Sequence, residues 1–321
     1  MAKSLGDFRA ALLFGWAVLA TAGVLYARSK SIPFGAAVSA LSAFLVTYPF
    51  YLVPAFRDLR ERLTGSRLFG FVLSAAIVPY LLCCLGAVHF QWGALARLAA
   101  MALLFALWYE VFPAHPLADL TFLAFIPLVL LGKYFETIYI PIFPALKDII
   151  VLGHIALIEV VVMVLMLVRR VKETGYGFFP NLREWRVGVL HFAYFVAVGL
   201  PLALFLKAVH FGPPAPVWKI AATFLGFLWV LSLSEEFFFR GVLQQWLEDW
   251  SGKPILALFV TSCVFGLVHI GFQGKFPNWR WVAVATILGL FCGRARNQAG
   301  SIRASMVTHA LVVAAWRGFF G

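Results

Sequence analysis

The chain has 321 residues, of which 63% are hydrophobic, 17% aromatic and only 12% charged, with a mean hydropathy of +0.92 and a formal net charge of +12. Charged residues run at about half the share of a soluble domain, and a chain of this size exposes too much surface to hide so many apolar side chains in one soluble core. These figures exclude an ordinary soluble enzyme, a disordered chain and a secreted disulfide scaffold, and they make lipid the main solvent.

A span with its loop takes roughly 25–35 residues, so the length holds about nine to eleven transmembrane helices. In chain order, apolar segments are predicted over 10–27, 33–54, 68–88, 94–112, 119–132, 149–168, 188–208, 217–247, 254–270, 281–293 and 301–318, the fifth and tenth being short. The predicted fold class is all-α, a polytopic transmembrane helical bundle of about 9–11 spans. The first segment follows Lys3 and Arg9 as a signal peptide would, but with so many spans behind it an uncleaved first helix is the expectation. The basic residues gather in three loops: four arginines over 57–67; Arg169, Arg170, Lys172, Arg183 and Arg186; and Arg294, Arg296 and Arg303. A cytoplasmic N-terminus puts all three loops on the cytoplasmic side. The expected localisation is therefore integral and multi-pass with the N-terminus cytoplasmic, and the positive charge reflects that bias, with no nucleic acid as partner. Cys83, Cys84, Cys263 and Cys292 lie in or beside apolar runs without CxxC spacing and read as small apolar residues. No internal repeat stands out. The main interior composition shift, 172–186, mixes bases with Tyr176, Phe178, Phe179 and Trp185, which suits an interfacial segment.

An ionisable side chain inside a span costs roughly 2.5–3.5 kcal/mol on insertion scales, so each one needs a reason. Glu110, Asp119 and Glu136 fall near helix ends, where charge reaches the interface cheaply. His154, Glu159 and His191 read as packing residues. The run Glu235-Glu236-Phe237-Phe238-Phe239-Arg240 is different, because it sets two adjacent carboxylates inside an apolar segment. Glu236 and Arg240, four apart, share a helix face and can pair. Glu235 then points about 100° away and is free for chemistry. Glu235 lies 17 residues before Gly252 and His269 lies 17 after it, in a turn marked by Ser251-Gly252-Lys253-Pro254. Antiparallel helices with equal counts bring Glu235 and His269 to the same depth. His309 lies about two turns into the last predicted helix, with Ser305 four residues before it on the same face.

One carboxylate and two imidazoles in a dry cavity suit water activation. Glu235 could take a proton from water that His269 orients, and His309 could stabilise the oxyanion formed on a peptide carbonyl. No covalent nucleophile is required, and GxSxG, HExxH and a paired-Asp motif are all missing from the sequence. Glu235, His269 and His309 could instead hold zinc, since one Glu and two His form a known catalytic ligand set. No cofactor is the favoured reading. The bland alternative for Glu235, Glu236 and Arg240 is a structural ion-pair cluster.

EEFFFR fits an EExxxR pattern, FGLVH fits FxxxH, and a further His follows in the last helix after Gly-Ser-Ile. In this order, over roughly 217–316, the three motifs resemble the CPBP family, which holds type II CAAX prenyl endopeptidases and bacteriocin-processing or self-immunity (Abi) membrane proteins. The resemblance implies a glutamate-dependent intramembrane protease with an all-helical core: Glu235 as general base, His269 as its partner on the water, Glu236 and Arg240 as the supporting pair, and His309 in the oxyanion site. It divides the chain into an N-terminal membrane-helix extension, 1–210, and a protease core, 211–321. The family pattern often carries Asn or another polar residue four positions after the last His. Here that residue is Val313, which leaves Thr308 and Ser305 as nearby donors. The implied partners are membrane lipid and a peptide or membrane-anchored protein substrate. Two further functions fit the same residues: a non-catalytic immunity or scaffold protein, which Val313 favours, and a transporter relaying protons through the Glu–His pair.

Overall fold

The computed structural model describes residues 5–172 and 174–320. Each of the eleven apolar segments forms a helix: α1 (Leu5–Ser29), α2 (Phe34–Leu52), α3 (Ser66–Cys83), α4 (Trp92–Val111), α5 (Pro116–Leu131), α6 (Pro144–Val168), α7 (Leu182–Phe205), α8 (Val217–Ser251), α9 (Pro254–Leu267), α10 (Trp279–Ala299) and α11 (Ile302–Phe319). The chain is an all-α, multi-pass integral membrane protein. Among the described residues, seven helices are long and apolar enough to cross a bilayer, and α5 and α9 are apolar but shorter. The tenth segment is longer than its apolar run predicts. α10 continues through Arg294–Ala299 because Arg296 pairs with Glu248 at 2.9 Å and Asn297 accepts from Gln244. It stops at Gly300, whose φ of +69° suits a residue without Cβ.

The helices form two compact units, Met1–Val171 and Lys172–Gly321. In the first, α2 packs against α1, α3 and α6, and α3 also meets α4. Asp119 departs from the expectation of an interfacial charge. It is fully buried, bound by two bonds from Arg169 at 2.6 and 2.7 Å, and accepts a third from the Tyr109 hydroxyl. A buried carboxylate needs that many donors to offset its lost hydration.

In the second unit, α11 runs between α7, α8 and α10, and α10 also packs on α9. Two local devices fix α11. Ser301 accepts from the amide of Arg303 at its N-terminus, and the Arg303 guanidinium donates twice to Glu184 at 2.7 and 3.0 Å. Glu184 itself closes a reciprocal cap with Asn181 at the start of α7. Gly188 lets α7 approach closely. A Cβ there would lie 2.6 Å from Val307 Cβ and 2.7 Å from the Ala304 carbonyl.

Candidate active site

Glu235 and Glu236 lie in a short regular stretch of α8, Ser232–Glu236, bounded by two wide π-turns, Phe227–Leu231 and Phe237–Leu243. Such turns shift which residues face a neighbour and recur at functional sites. Adjacent positions on the helix send the two carboxylates to different surroundings. Glu236 points into the protein with no exposure, while the Glu235 side chain keeps 33% of its surface.

Glu236 and Arg240 pair at 3.0 Å, both fully buried. Arg240 also donates to the carbonyl of Gly289 on α10, and its guanidinium lies 4.3 Å from the centroid of the Phe265 ring. Gly289 is a close-approach position, since a Cβ there would come within 3.0 Å of Ser262 and 3.3 Å of Arg240 Nη2. The same oxygen of Glu236 that accepts from Arg240 meets His309 Nδ1 at 2.8 Å. A carboxylate only accepts, so Nδ1 carries the proton. His309 Nε2 is thereby turned toward Glu235, 3.8 Å from Oε2. The His309 ring meets the Phe265 ring edge-on at 5.6 Å.

His269 follows the end of α9 in a turn. Its Nδ1 lies 2.8 Å from the Phe265 carbonyl. Since a carbonyl only accepts, Nδ1 donates, which leaves Nε2 as the ring nitrogen free to meet another group. Phe265 therefore touches all three polar groups: it backs His309 and Arg240 with its ring and fixes His269 with its carbonyl. Glu235, His269 and His309 line one cavity of about 300 Å³, whose walls are otherwise mostly apolar and aromatic. Equal residue counts give equal depth only for a uniform rise on both sides of Gly252. The π-turn Phe237–Leu243 and the turn holding His269 both depart from that rise, yet both side chains reach the cavity.

The Ser305 and Thr308 hydroxyls are engaged elsewhere. Ser305 donates to the Cys292 carbonyl at 2.8 Å and Thr308 to the Gly188 carbonyl at 2.9 Å, and both residues are fully buried. Val313 itself lines the cavity. His309 Nε2, 3.8 Å from Glu235 Oε2, is therefore the ring nitrogen that faces Glu235 in this part of the cavity. Among the described residues, no three His, Cys, Asp or Glu side chains converge as a set of metal ligands.

Sequence reasoning did not single out Phe265, Gly289 or Arg317, which also lines the cavity. Phe265 was visible as the first residue of FGLVH, but one Phe among 33 carries little signal by itself.

Residues 216–315 match the family model described as type II CAAX prenyl endopeptidase Rce1-like. The match covers the three motifs and supports the CPBP resemblance they carry. Comparison with curated proteins and with solved structures gives no match.

Proposed function

We propose that this protein is an intramembrane endopeptidase that hydrolyses a peptide bond with water activated by Glu235. The observation that carries the reading is the meeting of Glu235, His269 and His309 in one largely apolar cavity, with His309 held by the buried Glu236–Arg240 pair. Water between Glu235 and His269 donates one hydrogen to the carboxylate and the other to His269 Nε2. Glu235 takes the first proton as the oxygen attacks the carbonyl. His309, in its imidazolium form, keeps Nδ1–H on Glu236 and offers Nε2–H to the developing oxyanion. The proton on Glu235 then passes to the leaving amine. Arg240 and Glu236 act as positioning residues through His309. No metal enters this scheme. The matched family is named for CAAX prenyl substrates, and the apolar walls suit a lipid-modified protein tail.

Glu235→Gln keeps the shape and removes the base. With an S-prenylated peptide in proteoliposomes, cleavage should fall by at least about 10²–10⁴-fold, and a chelator should leave wild-type cleavage unchanged. Equal cleavage by the variant would overturn the reading. Val313 and the engaged hydroxyls of Ser305 and Thr308 favour a second reading, a non-catalytic binding or immunity protein. In that case wild type and Glu235→Gln would both leave the peptide intact, and the biological activity would survive Glu235→Gln combined with His269→Ala.

A further inference from the structure

Among the residues lining the cavity, Arg317 is the single Lys or Arg. It lies on α11 eight residues after His309, with Val313 midway. All three therefore fall on one face of the helix, and all three line the cavity. Eight residues at 1.5 Å each separate His309 from Arg317 by about 12 Å. Arg317 is exposed, so it occupies the cavity mouth while His309 occupies its depth. No carboxylate pairs with it among the described residues. Its guanidinium is instead seated against an aromatic ring, 4.8 Å from the centroid of Phe227, which also lines the cavity. Phe227 opens the first π-turn of α8, the element that carries Glu235. A cation in the last turn of a helix is favoured by the helix dipole. That alone does not place it on an apolar cavity that the two imidazoles also line.

We propose that Arg317 is a specificity-determining residue that binds the free C-terminal α-carboxylate of the substrate. The proposal rests on the endopeptidase reading and adds an end-recognition subsite to it. A guanidinium fork matches a carboxylate in two parallel hydrogen bonds, and low-dielectric walls strengthen that contact. An extended peptide covers about 12 Å in roughly three to four residues. A carboxylate on Arg317 therefore sets a carbonyl that many residues upstream beside His309 and Glu235. The subsite acts as a ruler: it selects chains that end near the cavity mouth and fixes which bond meets the water.

The test uses the full-length protein in proteoliposomes and one S-prenylated peptide made three ways: as the free acid, as the C-terminal amide, and as the amide with a terminal Glu. We expect wild type to cleave the acid with a kcat/KM at least about tenfold above the amide, the size of one charge-assisted contact. In Arg317→Gln the acid-to-amide ratio should fall to about one. Arg317→Lys should retain part of it, since Lys keeps the charge and loses the fork. Equal cleavage of acid and amide by wild type would overturn the inference while leaving the endopeptidase reading intact. An unchanged ratio in Arg317→Gln would also overturn it. Cleavage of the terminal-Glu amide as fast as the acid would assign the site to side-chain carboxylates and overturn the α-carboxylate reading. No cleavage of any peptide by wild type would instead count against the endopeptidase reading itself.

Discussion

Arg240 carries more of the site than its distance from the cavity suggests. It balances Glu236, reaches the Gly289 carbonyl and lies over Phe265, all with no exposure. Removing one partner of a buried pair leaves the other uncompensated, which costs about 3–5 kcal/mol, whereas removing both is often nearly neutral. Arg240→Leu should therefore lower thermal stability sharply. Adding Glu236→Leu should restore much of it without restoring cleavage, because His309 then lacks its acceptor. A dye-based melting experiment on the detergent-solubilised variants measures this, and a single variant as stable as wild type would contradict it. At this scale much was legible in the sequence. Charges are scarce in this chain, so Glu235, Glu236, Arg240 and His269 stood out against an apolar background. The His309–Glu236 bond was not legible, since it joins residues 73 apart and depends on how α11 packs. Ser305 shows the limit of reading helix faces: it sits one turn from His309, but its hydroxyl is engaged by a carbonyl of α10.

At the scale of elements, the site depends on how closely α7 and α8 approach α11. Gly188 permits the α7 contact, and the Thr308 hydroxyl bonds the Gly188 carbonyl across it. Gly188→Leu should push α7 off α11 and cost about 1–3 kcal/mol from overpacking. Gly226→Leu serves as the comparison, because a Cβ at Gly226 meets nothing within 4 Å. Comparable melting temperatures for the two variants would contradict this account of the α7–α11 contact. Hydropathy marked the helices well, because apolar runs of this length have few alternatives. The π-turns of α8 left no trace in it, since hydropathy reports which residues are apolar and not how the backbone winds. The length of α10 was missed for a related reason. Arg296 and Asn297 look like loop residues until Glu248 and Gln244 supply their partners.

For the whole molecule, the basic loops and the helix count bear on orientation together. Four helices, α3 to α6, separate the basic segment at 57–67 from that at 169–186, whose last residues open α7, and α7 to α10 lead from there to the basic segment at 294–303, which begins in the last turns of α10. If every helix spans, the three basic segments share one side, and from the positive-inside bias we propose that it is the cytoplasmic one. Cysteines introduced singly at Arg62, Arg186 and Arg294 should react with an impermeant maleimide in inside-out vesicles and stay unlabelled in right-side-out ones. Any one of the three behaving oppositely would break this topology. The composition that excludes soluble functions also makes the candidate site stand out: in a chain with 14 acidic residues, two adjacent ones within a helix of the bundle demand a reason. The most direct measurement is the cleavage rate of an S-prenylated, free-acid peptide by wild type, Glu235→Gln and the exposed control Glu110→Gln, in proteoliposomes matched for protein content and melting temperature. The account predicts cleavage by wild type and by Glu110→Gln, and a loss of at least about 100-fold in Glu235→Gln. Cleavage by Glu235→Gln at the wild-type rate would contradict it.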